Sequence, residues 1–91
     1  MWAEHWHRYH AIQRLAAGKR VLDVACGEGY GSALLSRMAI EVSGVDISSE
    51  AIAHATHAYS TQANLKFFEA SCTSLPFADR SFDVVVSFET I

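Results

Sequence analysis

Apolar residues along this chain change their period several times, and each change predicts an element. Within residues 2–17, Trp6, Tyr9 (or His10), Ile12–Gln13 and Ala16 recur at near-helical spacing, which predicts a leading helix. Gly18 is a stop signal, and Lys19 and Arg20 stand beside the helix's negative end. A short apolar run over about residues 20–25 predicts a first strand. A glycine-rich turn, Cys26–Gly31, then leads into a helix over roughly residues 29–38. A second strand is expected over about residues 41–45, ending at Asp46. Ser48 or Ser49 can cap a helix over about residues 50–59, with Glu50 at its positive end. Leu65-Lys66-Phe67-Phe68-Glu69 predicts a third strand, and residues 71–80 a connection that carries Pro76. The nearly continuous β-branched run Phe82-Asp83-Val84-Val85-Val86-Ser87-Phe88 suits a central strand buried on both faces.

Strands alternate with helices, so the expected fold is α/β with a parallel sheet and right-handed crossovers. Neither a repeat nor an interdomain linker interrupts it. The chain stops just after a strand of interior character, whose uncovered edge would be an aggregation hazard. We therefore expect residues 1–91 to be the first half of a longer domain, or to bury that edge by homo-oligomerisation through the last strand.

Composition narrows the class. The 91 residues are 51% hydrophobic and 19% charged, a globular balance, and the formal net charge of −3 does not suggest nucleic acid or an anionic membrane as a direct partner. No apolar run approaches the ~20 residues of a membrane span, and the N-terminus lacks a signal-peptide pattern, so membrane insertion is not expected and a cytoplasmic location is. Cys26 and Cys72 fit no metal spacing and read as reduced, mostly buried thiols. The pairs His7/His10 and His54/His57 each share a helical face but supply too few ligands for a metal, and none is expected.

The chemistry is concentrated in Val21-Leu22-Asp23-Val24-Ala25-Cys26-Gly27-Glu28-Gly29-Tyr30-Gly31. Gly27 and Gly29 let the backbone turn tightly and approach a ligand, although such a pair also fits a plain strand-to-helix turn. Asp46 ends the second strand about twenty residues on, where a carboxylate can accept from both hydroxyls of a ribose; it also fits a helix-capping role before Ile47-Ser48-Ser49. Charge separates the possible ligands. Asp23 and Glu28 flank the turn, and no Lys or Arg lies between Val21 and Ser36. Two like charges ~5 Å apart cost about 3 kcal/mol at an effective dielectric near 20, which disfavours a pyrophosphate. The same interaction favours a ligand with a sulfonium and an ammonium. S-adenosylmethionine therefore suits the loop better than NAD does.

With these residues in place, the chain resembles class I S-adenosylmethionine-dependent methyltransferases of the small-molecule group often called type 11. The glycine-rich motif above, Gly44-Val45-Asp46-Ile47-Ser48, Ser74-Leu75-Pro76-Phe77 with Asp79, and Ser81-Phe82-Asp83-Val84-Val85-Val86-Ser87 match in order. The resemblance runs from Lys19 onward. It implies a Rossmann-like three-layer fold with strand order 3-2-1-4, residues 1–18 forming a leading helix and 19–91 the nucleotide-binding βαβ units. It implies that Asp23 and the backbone of Ala25, Cys26 and Gly27 face the methionine portion of S-adenosylmethionine, and that Gly29 permits close packing. Asp46 would bind the ribose, Ile47 would pack on adenine, and Ser87 with Phe88 would line the floor. Ser71 stands where the family usually has an Asp for the adenine amino group, so its hydroxyl or the Cys72 backbone would substitute.

In related enzymes a leading helix closes over the cofactor, and Arg8 and Tyr9 are the candidates to touch its carboxylate. The cluster Trp2, His5, Trp6, His7, Tyr9 and His10 equally fits a helix packed by its aromatic face. Glu89, at the acceptor rim, could orient an acceptor or be a surface residue; no catalytic base is identified. The expected function is methyl transfer to a small-molecule acceptor, this chain supplying the cofactor-binding half. A non-catalytic binding or dimerising module and an NAD-dependent oxidoreductase are the alternatives.

Overall fold

The computed structural model describes residues 14–24, 26–71 and 81–87. Its order is β1 (Arg20–Val24), α1 (Tyr30–Leu35), β2 (Glu41–Asp46), α2 (Ser49–Ala58), β3 (Leu65–Glu69) and β4 (Val84–Ser87). The four strands form one parallel sheet in the order β3-β2-β1-β4, as expected. Residues 14–16 are helical, and the rest of the expected leading helix lies outside the described residues. Gly18 ends that segment in the left-handed region at φ +70°, with its N–H on the Met38 carbonyl at 3.0 Å.

Strand alternation sorts the sheet into two faces. Val21, Val42, Leu65 and Val86 share one face and are buried with Ala16, Leu35 and Ala39 in the core cluster. α1 and α2 pack on that face, against β2 and β3. Leu22, Ser43 and Val45 point the other way and are buried too, which fits the central position of β1 and β2. β4 differs from expectation. It begins at Val84 rather than at Phe82, and Val85 is 61% exposed while Val86 is buried, so only one face of the strand is covered. Among the described residues β4 pairs with β1 alone. Its start is fixed by Asp83, whose N–H donates to the Arg20 carbonyl at 2.8 Å and whose carboxylate accepts from Arg20 N at 3.0 Å. The Arg20 backbone N–H, with its guanidinium nearby, holds the exposed Asp83 carboxyl below its ordinary range.

α1 is also shorter than the expected 29–38. Arg37 and Met38 donate to carbonyls three residues back, Leu34 and Leu35, so the last turn tightens. Asn64 then closes this end: its amide donates to the carbonyls of Ser36 at 2.7 Å and Ala39 at 3.2 Å. α2 starts at Ser48, whose hydroxyl accepts from Ala51 N at 3.2 Å.

Close packing sets the distance between the helices and the sheet. A Cβ at Gly44 on β2 would stand 2.8 Å from Phe67 Cδ1 and 2.9 Å from Ser32 Oγ. One at Gly29, already at φ +89°, would stand 2.7 Å from Phe67 Cζ and 2.9 Å from Ala55 Cβ. The Phe67 ring thus fills the room that two absent side chains leave. Gly44→Ala should therefore lower stability by about 1–3 kcal/mol through overpacking, and Phe67→Leu in the same chain should recover part of the loss. Denaturant unfolding of the single and double variants checks this.

Candidate functional site

β1 and β2 deliver two chain turns to the carboxyl edge of the sheet. After β1, Cys26 N–H donates to the Val45 carbonyl at 2.9 Å, which ties the turn to the neighbouring strand. Gly29 N–H donates back to the Cys26 carbonyl at 3.1 Å and closes the turn. Gly27 lies within it at φ +58°, a conformation that L side chains rarely adopt. A Cβ there would meet no atom within 4 Å, so the space over Gly27 is open, unlike that over Gly29.

Asp46 joins the two turns. Its Oδ2 accepts from Gly27 N at 2.9 Å and its Oδ1 from Ser48 N at 2.9 Å. Each carboxylate oxygen can accept about two hydrogen bonds, so half of the capacity of this half-buried group remains for a ligand. Of the expected alternatives for Asp46, the helix cap falls to Ser48 instead; one lone pair on each Asp46 oxygen orders the backbone of the two turns and the others stay available to a ligand. Ile47 follows, 76% exposed. On the far side, Ala70 N–H donates to the Asp46 carbonyl at 3.0 Å, which brings half-buried Ser71 to the same edge. The backbone of Ser87 ends β4 in register with Val24.

The edge thus gathers Cys26, Gly27, Asp46, Ile47, Ser71 and the Ser87 backbone. Ala25, Tyr9 and Cys72 lie outside the described residues, as do Arg8, Phe88 and Glu89. Among the described residues no three His, Cys, Asp or Glu side chains gather in a metal-binding group. A cavity of about 340 Å³ lies elsewhere, between the end of α2 and β3, lined by Tyr59, Leu65, Phe67 and Phe68 among others.

The two carboxylates that flank the turn in sequence part company in space. Glu28 points outward, its side chain 74% exposed, 3.7 Å from His54 Nε2 on α2. Asp23 turns inward and is 1% exposed beneath α1. Ser32 Oγ donates to its Oδ2 at 2.6 Å, while Oδ1 is the one buried side-chain oxygen or nitrogen without a partner among the described residues. Burial pushes the Asp23 carboxyl up to about 6, against the Ser32 hydrogen bond, and the nearby charge of Asp46 adds to the rise. Burial likewise pushes the free Cys26 thiol up to about 12, with Asp23 and then Asp46 contributing. The negative field at the turn therefore comes from Asp23 and Asp46 rather than from Asp23 and Glu28. Ser32 is the site residue that sequence reading missed; its one signal was a small polar residue on the helix face turned towards β1.

Comparison with known proteins places the chain. Residues 21–91 match the family model described as a methyltransferase domain, and the chain belongs to that family. A probable S-adenosylmethionine-dependent methyltransferase of Mycobacterium tuberculosis is 38% identical over 96% of this chain, which covers 32% of that protein. A fatty-acid O-methyltransferase of Mycolicibacterium smegmatis is 36% identical over 90% of the chain, which covers 31% of its length. The crystal structure of the YcgJ protein of Bacillus subtilis superposes with a TM-score of 0.81 at 31% identity, over 91% of this chain and 38% of that one. The chain spans about a third of the length of the curated relatives it matches.

Two measurements follow from the geometry. Asp46→Ala removes the acceptor of both amides, so hydrogen exchange at Gly27 and Ser48 should accelerate at least tenfold while exchange in β2 stays slow, as for loss of a charge-assisted bond worth roughly 1.5–3 kcal/mol. For Asp23 the folded value, about 6, lies above the unfolded 3.8. The folded state therefore holds this proton more tightly, and its stability falls as pH rises through that window. Asp23→Asn, which keeps an acceptor for Ser32, should flatten this dependence and add about 1–3 kcal/mol at neutral pH in thermal or denaturant unfolding.

Proposed function

We propose that this member of the methyltransferase domain family binds S-adenosylmethionine at the β1–β2 edge, and that the protein carrying it transfers the methyl group to a small-molecule acceptor. The observation that carries the reading is Asp46: a carboxylate fixed by Gly27 N and Ser48 N, with free lone pairs beside an open left-handed turn. Such a group can accept from the paired hydroxyls of a ribose. Exposed Ile47 beside it offers apolar surface for the adenine, and half-buried Ser71 lies at the same edge. The backbone of Ala25, Cys26 and Gly27 would receive the amino-acid end, with Asp23 supplying negative charge from beneath.

The residues fit a cationic cofactor. Burial first, and then the charges of Asp23 and Asp46, raise the Cys26 thiol, and a positive ligand relieves the repulsion from the two carboxylates. The bound cofactor supplies an electrophilic methyl on a sulfonium sulfur. This chain's part is to hold it oriented, so that acceptor and methyl meet as an effectively unimolecular pair. The names of the relatives support the cofactor and, for the fatty-acid enzyme, a small acceptor. No helix among the described residues is long and apolar enough to cross a membrane, and a cytoplasmic location is part of the proposal. Among the described residues β4 pairs with β1 alone, and the proposal places a further strand or a second copy of the chain against its other edge.

Calorimetric titration of the protein carrying this chain tests the reading, followed by a transfer assay with labelled S-adenosylmethionine. S-adenosylhomocysteine should bind saturably, NADH should not, and Asp46→Ala should weaken the former by about 10- to 100-fold, as for loss of a charged acceptor. NADH binding without S-adenosylhomocysteine binding would reverse the assignment.

A further inference from the structure

Ser32 has no part in the binding scheme above, yet it occupies a decisive position. It is 0% exposed on α1, and its hydroxyl donates to Asp23 Oδ2 at 2.6 Å. That length falls in the range of a hydroxyl bonded to an ionised carboxylate. The hydroxyl is also hemmed in, 2.9 Å from where a Cβ at Gly44 would stand. Groups that bear on Asp23 come from two elements, Ser32 from α1 by a hydrogen bond and Asp46 from β2 by its charge, while the Cys26 thiol of the turn feels the charge of Asp23 in return. Burial and Asp46 both favour the neutral acid, and Ser32 opposes them.

We infer that Ser32 is a positioning residue of the cofactor site: its hydroxyl keeps Asp23 ionised and oriented beneath the glycine turn, so the turn's affinity for a cation depends on a side chain that no ligand touches. The inference rests on the cofactor reading above and adds the residue that controls the charge. When Asp23 takes up a proton, the Ser32 bond loses its charged acceptor and the negative charge under the turn is lost. Binding of a cationic ligand then competes with that proton.

The test titrates S-adenosylhomocysteine, which keeps the cofactor's ammonium, into the protein carrying this chain and into its Ser32→Ala, Ser32→Cys and Asp23→Asn variants across a pH series. The Asp23 carboxyl is followed in parallel by carbon NMR. Wild-type affinity should rise with pH and level off above about 6. Ser32→Ala should move the Asp23 midpoint up by about one pH unit and weaken binding up to about tenfold on the acid side, the gap closing by about pH 8.5. Ser32→Cys, close in size and a weaker donor, should fall between the two, and Asp23→Asn should bind with no pH dependence in this window. An Asp23 midpoint unmoved by Ser32→Ala, or an equal loss of affinity at every pH, overturns the role of Ser32. Wild-type binding that is flat with pH overturns it while leaving the cofactor reading intact. No binding at any pH overturns both.

Discussion

The Asp46 carboxylate is the interaction on which this site depends. It accepts one backbone N–H from each of the two turns that end β1 and β2, and so fixes their separation. Backbone bonds around it reinforce the arrangement: Cys26 N to the Val45 carbonyl, and Ala70 N to the Asp46 carbonyl. Three successive strand ends are thereby laced together at one edge of a parallel sheet, where open α/β folds receive ligands. The same carboxylate that builds the edge still has lone pairs to offer a ligand, so structure and recognition draw on one group.

Packing behind the edge explains why the turn can be so tight. Phe67, from β3, lies against both Gly29 in the turn and Gly44 on β2, and Ala55 of α2 meets the same spot. The two glycines carry different loads. Gly29 needs both its positive φ and its missing side chain, whereas Gly27 needs the φ and leaves open space above it. Beneath the turn a buried carboxylate is kept at a cost to stability, because burial opposes its charge and one of its oxygens has no partner among the described residues. A cost of that kind, concentrated under a candidate binding edge, is what functional sites commonly show.

Much of the fold was legible in the sequence. Strand periodicity located β1, β2 and β3 almost to the residue, and the alternation of strands with helices gave the parallel sheet. What escaped were features decided by distant partners. α1 stops early because its last turn tightens and Asn64, 28 residues away from Ser36, takes the carbonyls at its end. β4 begins late because Asp83 bonds to the Arg20 backbone. In the site, Asp46 and the glycines stood out by spacing, whereas the division of labour between carboxylates did not. Asp23 and Glu28 are five positions apart in the chain, but one faces α1 and the other faces solvent beside His54. Alternation in a strand says which face a side chain takes, but not that a serine nine residues on will meet it.

The central claim is that the Asp46-braced edge seats the cofactor. Backbone amide NMR of the protein carrying this chain tests it most directly, because Gly27 and Ser48 report on the two bonds that define the edge. Titration with S-adenosylhomocysteine should shift both resonances saturably and together, while amides around Gly18 stay in place. Unmoved Gly27 and Ser48 resonances, with ligand-induced shifts confined to other parts of the protein, would contradict the account.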